Sequence, residues 1–434
     1  CKFTVENGTI FVYGTLEVIN STVWMRSAYT KTKRVFVYGN FTMLNSQILR
    51  QNMIRCQSNS RVSILNSSSP TTICWLWENS SAYVCNSILK GVYQLGGDSN
   101  LLNTTVVYAC LFDPIFGNAV YFASNSNIST MAFYAPQVDN LEIRPGLIEN
   151  LTIYSENQFG NFSLVDSYVA RWEVYCDMFF PGKISNSIID LLSFITDPDW
   201  SGNLTLTSGY IEYLEMEYTS NHMIVENTTV NEWEVDLYGF ASIQIENSDK
   251  IGIYAFLEAS VELSIINSNV TYLYRDLRGT LLAMNSSIRL IIMRLEDITL
   301  NLSLKEGFYD FFNLYLPEQG CNMTLVDSTV SHWGIETFPN ANLTLTDSTL
   351  TKDPDGWYPY SLLIRQNATC SVYNSNLDIV YCYAPPYGDR WATLTLTNCT
   401  VNTLYAYGKA NITAIDSTIN MLITDPVQVT LINS

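Results

Sequence analysis

The chain of 434 residues is 47% apolar and only 15% charged, with a formal net charge of -19. That balance excludes a disordered chain, and the acidity excludes a nucleic-acid binder, which needs clustered Lys and Arg, and disfavours docking on anionic lipid. No run approaches the ~20 apolar residues of a membrane-spanning helix, and no signal-peptide pattern opens the sequence, as expected of a mature or trimmed form.

One short pattern, apolar–x–apolar–x–[Asn/Asp]–[Ser/Thr]–x–apolar, returns from end to end. In chain order it reads LEVINSTV (16–23), FTMLNSQI (41–48), FSLVDSYV (162–169), MIVENTTV (223–230) and LSIINSNV (263–270), then MTLVDSTV (323–330), LTLTDSTL (343–350), LTLTNCTV (394–401) and ITAIDSTI (412–419). Aligned on the Asx, the series is Asn7, Asn20, Asn45, Asn66, Asn86, Asn103, Asn125, Asn150, Asp166, Asn186 and Ser208. It continues through Asn227, Asn247, Asn267, Asn285, Asp327, Asp347, Asn374, Asn398, Asp416 and Asn433. The usual step is about 20 residues, a repeat length with few physical solutions. The step from Asn285 to Asp327 is double, and DITLNLSL (297–304) is the remnant of the rung between them.

Segments between motifs are rich in Val, Ile, Thr, Tyr and Trp and alternate with period two, as in IEYLEMEY (211–218), VELSIINS (261–268) and SIRLIIM (287–293). A leucine-rich repeat would need Leu at fixed offsets and a helical or turn-rich return side. The pattern instead predicts an all-β chain, a single-stranded right-handed parallel β-helix (β-solenoid) with two or three short strands in each rung of about 20 residues. About 21 rungs at about 4.8 Å each predict a rod on the order of 100 Å long. In 343–350, parity turns Leu343, Leu345 and Leu350 inward, Thr344 and Thr346 outward, and places Asp347 at or just inside the bend. Stacked corner Asn residues can bond one another from rung to rung, whereas the adjacent Asp327 and Asp347 need Ser328, Ser348 or backbone donors.

The whole of 1–434 reads as one solenoid domain. Pro- and Gly-bearing excursions leave it near 111–118, 179–183, 196–202, 351–360 and 383–391. Two of them contain Asp-Pro-Asp followed by Trp: Asp197, Asp199 and Trp200, then Asp353, Asp355 and Trp357. A hydrolase acid pair or a Ca²⁺ site would use such carboxylates, but an acidic turn in which Pro fixes φ is the favoured reading. With His222 and His332 as the only histidines, and no nucleophile or phosphate-loop motif, the chain is expected to be neither an enzyme nor a holder of metal or cofactor. Trp24, Trp172, Trp233 and Trp333 near the corners read as packing rather than as sugar platforms.

This rung pattern resembles right-handed parallel β-helix proteins of the extracellular kind, which include polysaccharide lyases and hydrolases, phage tailspikes and microbial surface proteins. The resemblance covers nearly the whole length and rests on the rungs. The clustered Asp with Arg, Lys or His that a carbohydrate-active member would carry is missing.

Ten cysteines with no CxxC fit disulfides in an oxidising compartment. The candidates are Cys56, Cys74, Cys85 and Cys110 in early rungs and Cys370, Cys382 and Cys399 in late ones. Spacings near one rung suggest Cys56 above Cys74 and Cys382 above Cys399. Cys1 would suit a lipidated terminus, but a strand begins at once.

Nineteen Asn-X-Ser/Thr sequons indicate a secreted, heavily N-glycosylated surface, although Asn-Ser-Thr is also the turn sequence of the repeat. Seven begin at the corner itself, at Asn7, Asn20, Asn66, Asn103, Asn227, Asn285 and Asn398. Six begin five residues earlier, at Asn40, Asn161, Asn203, Asn322, Asn342 and Asn411, and no rung has both. Asn79, Asn127, Asn150, Asn269, Asn301 and Asn367 complete the set. The earlier class has outward parity, whereas the corner class was open to burial in the ladder.

The expected protein is a structural subunit of an extracellular or cell-surface filament or layer, with covalent N-glycans and copies of itself as partners. Head-to-tail growth is expected from VTLINS followed by CKFTVENGT, which nearly continues the repeat. Density of sequons, cysteines and a solenoid together resemble glycosylated microbial surface proteins, archaeal filament or sheath proteins among them. An adhesin or carbohydrate-binding domain of a larger surface protein, or a polysaccharide lyase or hydrolase, are the alternatives.

Overall fold

The computed structural model describes Lys2 to Ser434 apart from connecting segments, the longer of which are 27–32, 113–118, 177–181, 197–200, 295–299, 316–320, 353–359 and 387–390. Among the described residues every regular element is a strand, and the strand pairings are parallel. Contacts divide the chain into two compact units, Cys1–Thr219 and Ser220–Ser434. Each is a β-solenoid with about 20 residues per turn.

A turn contains one strand in each of two sheets. In the first unit, Arg61–Leu65 lies in sheet B, Asn66 turns the corner, and Ser68–Leu76 runs in sheet A before the chain returns to Ser81–Cys85, above Arg61–Leu65. In the second unit, Ala392–Thr397 (sheet B), Asn398 and Thr400–Gly408 (sheet A) repeat the plan. Some rungs break sheet A into two pieces, as at Thr22–Arg26 and Arg34–Val37, which accounts for the expectation of two or three strands. The doubled step is filled: Leu300–Lys305 pairs with Arg278–Met284 on one side and Cys321–Val326 on the other.

Alternation builds the core as the sequence implies. Val62, Ile64, Ala82 and Val84 point inward from sheet B and meet Cys74 and Leu76 from sheet A, all at 2% exposure or less. Each fully buried Val, Leu or Ile contributes about 1.5–3 kcal/mol, and since one rung alone cannot cover its apolar face, stability comes from stacking. Trp172 and Trp233 are core residues, at 1% and 0% exposure. Phe162 meets the edge of Trp172 with ring centroids 5.0 Å apart, and a Cβ at Gly182 would lie 2.1 Å from Phe162. The small residue in one rung makes room for the large ring in the next.

One position of the aligned series is not a corner, and another lies outside the described residues. Asn7, itself outside the described residues, falls between Lys2–Glu6 and Ile10–Val12, which both belong to sheet A. Asn150 lies within the strand Gly146–Ser155, opposite Thr130 and Arg171. Its rung turns earlier, where Arg144 accepts from the Asn125 amide and Gly146 stands beside Ser126. The segment before Gly146 has no Asn-Ser, and the Asn-Leu-Thr at Asn150 carries the apparent motif instead.

Candidate functional surface: corner ladders and sequons

The corner is a local device with a fixed backbone. Asn20, Asn45, Asn66, Asn86, Asn103 and Asn125 all have φ of 47–49°, and in the second unit Asn227, Asn247, Asn267 and Asn285 have 48–50°. Asn and Asp tolerate this left-handed region because their short polar side chains bond locally. One left-handed residue also breaks the two-residue alternation. Asp347 is therefore exposed and Ser348 buried, the reverse of the simple parity assignment.

Burial of the small hydroxyl creates the first ladder. Ser46 N–H donates to Ser67 Oγ at 3.1 Å, and Ser67 N–H to Ser87 Oγ at 3.1 Å. In the second unit Thr228, Ser248 and Ser268 each donate to the next Oγ at 3.2 Å. Each hydroxyl in turn donates to the carbonyl two residues back, as Ser248 does to Glu246 at 2.8 Å. Donor and acceptor are both used, which a buried hydroxyl requires.

The second ladder is the row of Asx side chains on the solvent side. Asn86 Nδ2 donates to Asn66 Oδ1 at 3.0 Å, Asn285 to Asn267 at 2.8 Å and Asn398 to Asn374 at 3.0 Å. Donation runs from the later rung to the earlier, so Asp serves where only an acceptor is needed, as Asp416 does for Asn433 at 3.0 Å.

Both sequon classes present exposed asparagines. Among corner sites Asn20, Asn66, Asn103, Asn227, Asn285 and Asn398 are exposed; among the earlier class Asn40, Asn203, Asn322 and Asn342 are exposed and Asn411 is half-buried. Burial in the ladder therefore does not separate them. Asn79, Asn127, Asn150, Asn269 and Asn367 are exposed too. Asn301, Asn322 and Asn342 occupy one register position on successive strands, and Asn342 Nδ2 reaches Asn322 Oδ1 at 3.2 Å. Asn161 shares that position in its own rung, opposite Asn140.

No family model matches the chain, and no curated protein matches it.

The cysteines do not fall in the register that their spacing suggests. Cys56 stands opposite Leu76, and Cys74 opposite Ile54. The two lie on neighbouring strands, two residues out of register, and the buried Cys56 and Cys74 thiols are within hydrogen-bonding reach of each other. Cys382 pairs with Ile364 and Ala406, while Cys399 takes a serine position in the corner ladder, its amide donating to Ser417 Oγ at 3.1 Å. Cys56, Cys74, Cys85, Cys370, Cys382 and Cys399 are all thiols here. Burial pushes Cys56 and Cys370 well above the ordinary thiol range and Cys382 up to about 12. Cys110 lies at a register position of sheet A beside Tyr93.

Asp197, Asp199, Asp353 and Asp355 lie outside the described residues. His222 is exposed on the strand Ser220–Glu226. A feature that sequence reading missed is the outward face of sheet A in the first unit, where Phe11 stacks on Phe36 at 5.3 Å and Tyr13 on Tyr38 at 4.9 Å. Lys2 and Arg50 stand over Trp24 at 5.0 and 5.7 Å. Farther along, Tyr168 and Tyr210 donate to Asp190 and Glu212, which raises both phenol pKa values, and Glu173 raises that of Arg171. Cross-strand register makes the Phe11–Phe36, Tyr13–Tyr38 and Tyr168–Asp190 contacts, whereas Tyr210–Glu212 and Arg171–Glu173 are two residues apart on one strand.

Proposed function

We propose that the protein is a structural subunit of a heavily N-glycosylated extracellular filament or surface layer that grows head to tail through its solenoid ends. One observation carries the reading: what recurs from rung to rung is a stacking device, the buried hydroxyl ladder with the exposed amide row beside it. Repetition spent on stacking suits a scaffold, and asparagines aligned on its outside suit sugar display. Two surfaces suit continuation by a second copy. The early rungs hold a recess of about 460 Å³ lined by Leu16, Val18, Val23, Met25 and Phe41. The late strands Thr418–Thr424 and Gln428–Ile432 expose Met421, Leu422, Leu431 and Ile432. Parallel strand edges invite further strands.

An adhesin would use aromatic faces. Phe11, Tyr13 and Tyr38 are exposed at 53%, 74% and 43% and stack in pairs with Phe36 and each other, which keeps the adhesin as the second reading.

Electron microscopy of the purified, glycosylated chain tests the assembly: filaments with an axial repeat near 100 Å are expected from about 21 rungs of about 4.8 Å, and Leu431→Asp should abolish them. Particles that stay single at every concentration would overturn it. Glycopeptide mass spectrometry tests the sugars, and unoccupied Asn322, Asn342 and Asn411 would remove that half of the proposal.

A further inference from the structure

The outward face of sheet A in the first unit is electrically polarised. Among the described residues, Lys2, Arg34, Arg50 and Arg55 stand on or beside its early strands, while Glu173, Asp190, Glu212 and Glu215 stand on its later ones, where Arg171 is the one described cation. Register places the two ends on one line. Phe11, Phe36, Arg55, Trp75 and Tyr93 are successive partners in one outward row. In backbone register the line continues through positions 110, 132 and 152 to Glu173, the buried Ser193 and Glu215.

The cations at the basic end are held upright and unspent. Arg55 lies 4.3 Å from the ring centroid of Trp77 and 5.9 Å from that of Phe36. Arg34 and Arg55 each bury Nε without a hydrogen-bond partner. At the acidic end Asp190 and Glu212 are exposed and tethered by tyrosine hydroxyls, and Glu215 faces outward in the Arg55 row. Arg171 pairs with Glu173 and also feels Glu215.

We propose that this face pairs with the same face of a second copy, antiparallel about a two-fold axis, the basic–aromatic end of each lying on the acidic end of the other. Arg55 and Glu173 are six strands apart, so a half-turn about the strand midway between them, Thr105–Phe112, exchanges their places. The contact is isologous and therefore closes at two copies. Elsewhere, chains of net charge -19 repel one another; on this face opposite charges meet. Nine strands at about 4.8 Å by a width of about 25 Å give about 1,000 Å² per partner, above the ~800 Å² of a standard stable interface. The pairing does not depend on end-to-end growth.

The test is sedimentation velocity on the full chain carrying Leu431→Asp, so that lateral pairing is read apart from filament growth. At 50 mM NaCl a dimer is expected and at 500 mM a monomer, because salt screens exposed charges. R34E/R55E and E173K/D190K, which the half-turn places opposite one another, should each be monomeric with unchanged circular dichroism, while R55K, which keeps the charge, should still dimerise. Mixing the two reversed variants in equal amounts should restore the dimer, as should all four changes in one chain. A wild-type face that stays monomeric at 50 mM, a dimer that survives R34E/R55E, or a mixture that fails to recover would each overturn the proposal. So would a chain that stays monomeric alone and binds only when an acidic polysaccharide is added, which would assign the face to that ligand.

Discussion

Removing one rung of the hydroxyl ladder should cost far more than an exposed serine normally does. Ser248 is 2% exposed; its Oγ accepts from Thr228 N–H at 3.2 Å and donates to Glu246 at 2.8 Å. Ser248→Ala deletes both bonds and leaves the Thr228 amide buried without an acceptor. A typical net hydrogen bond contributes about 1 kcal/mol and an orphaned buried donor costs about 1–3 kcal/mol, so a loss of roughly 2–3 kcal/mol is expected. The chain itself supplies the controls. Thr228 and Thr104 hold the same position and donate likewise to the carbonyl two residues back, and Cys399 holds it with Sγ 3.2 Å from the Thr397 carbonyl. Ser248→Thr should therefore be nearly neutral and Ser248→Cys intermediate. Urea unfolding gives the global cost, and hydrogen-exchange mass spectrometry of peptides spanning Thr228 gives the local one. If Ser248→Ala unfolds within about 0.5 kcal/mol of the parent and the Thr228 peptide keeps its protection, the ladder is not what holds the corners together.

The corner conformation predicts a second series: Asn247→Gly should be nearly neutral, whereas Asn247→Val, β-branched at φ 50°, should lose about 1–2 kcal/mol by urea unfolding. Gly182→Val should destabilise by several kcal/mol because its side chain enters the Phe162 ring, and Phe162→Leu in the same chain should recover part of that loss in thermal melts. The Cys382 thiol, raised to about 12, contributes stability fully present below its unfolded pKa near 8.5 and lost as pH rises from there toward 12. Cys382→Ala should flatten the alkaline limb of a pH titration of the unfolding midpoint. In protein folded under reducing conditions, Cys56, Cys370 and Cys382 should react with iodoacetamide at pH 8 only after denaturant is added.

Much of the architecture was legible before any coordinates. The period, the inward Leu343, Leu345 and Leu350, the hidden rung at Leu300–Lys305 and the stacked corner amides all depend on local chemistry repeated in sequence. An Asx that accepts a left-handed φ, followed by a small hydroxyl, identifies the corner wherever it occurs. The alignment failed where a rung lacks Asn-Ser: Asn150 lies within the strand Gly146–Ser155 and not at a corner.

What the sequence by itself determined is the solenoid class, its repeat length and the identity of the corner residues, because these follow from interactions within a few residues of each Asx. Tertiary structure alone decided which side of the corner is buried, since one left-handed residue inverts parity and sends Ser348 inward and Asp347 outward. It also decided that Cys56 faces Leu76 and that Arg55 shares a row with Glu215. Rungs of unequal length hide such partners from residue spacing, and only the hydrogen-bonded register between strands brings them into line.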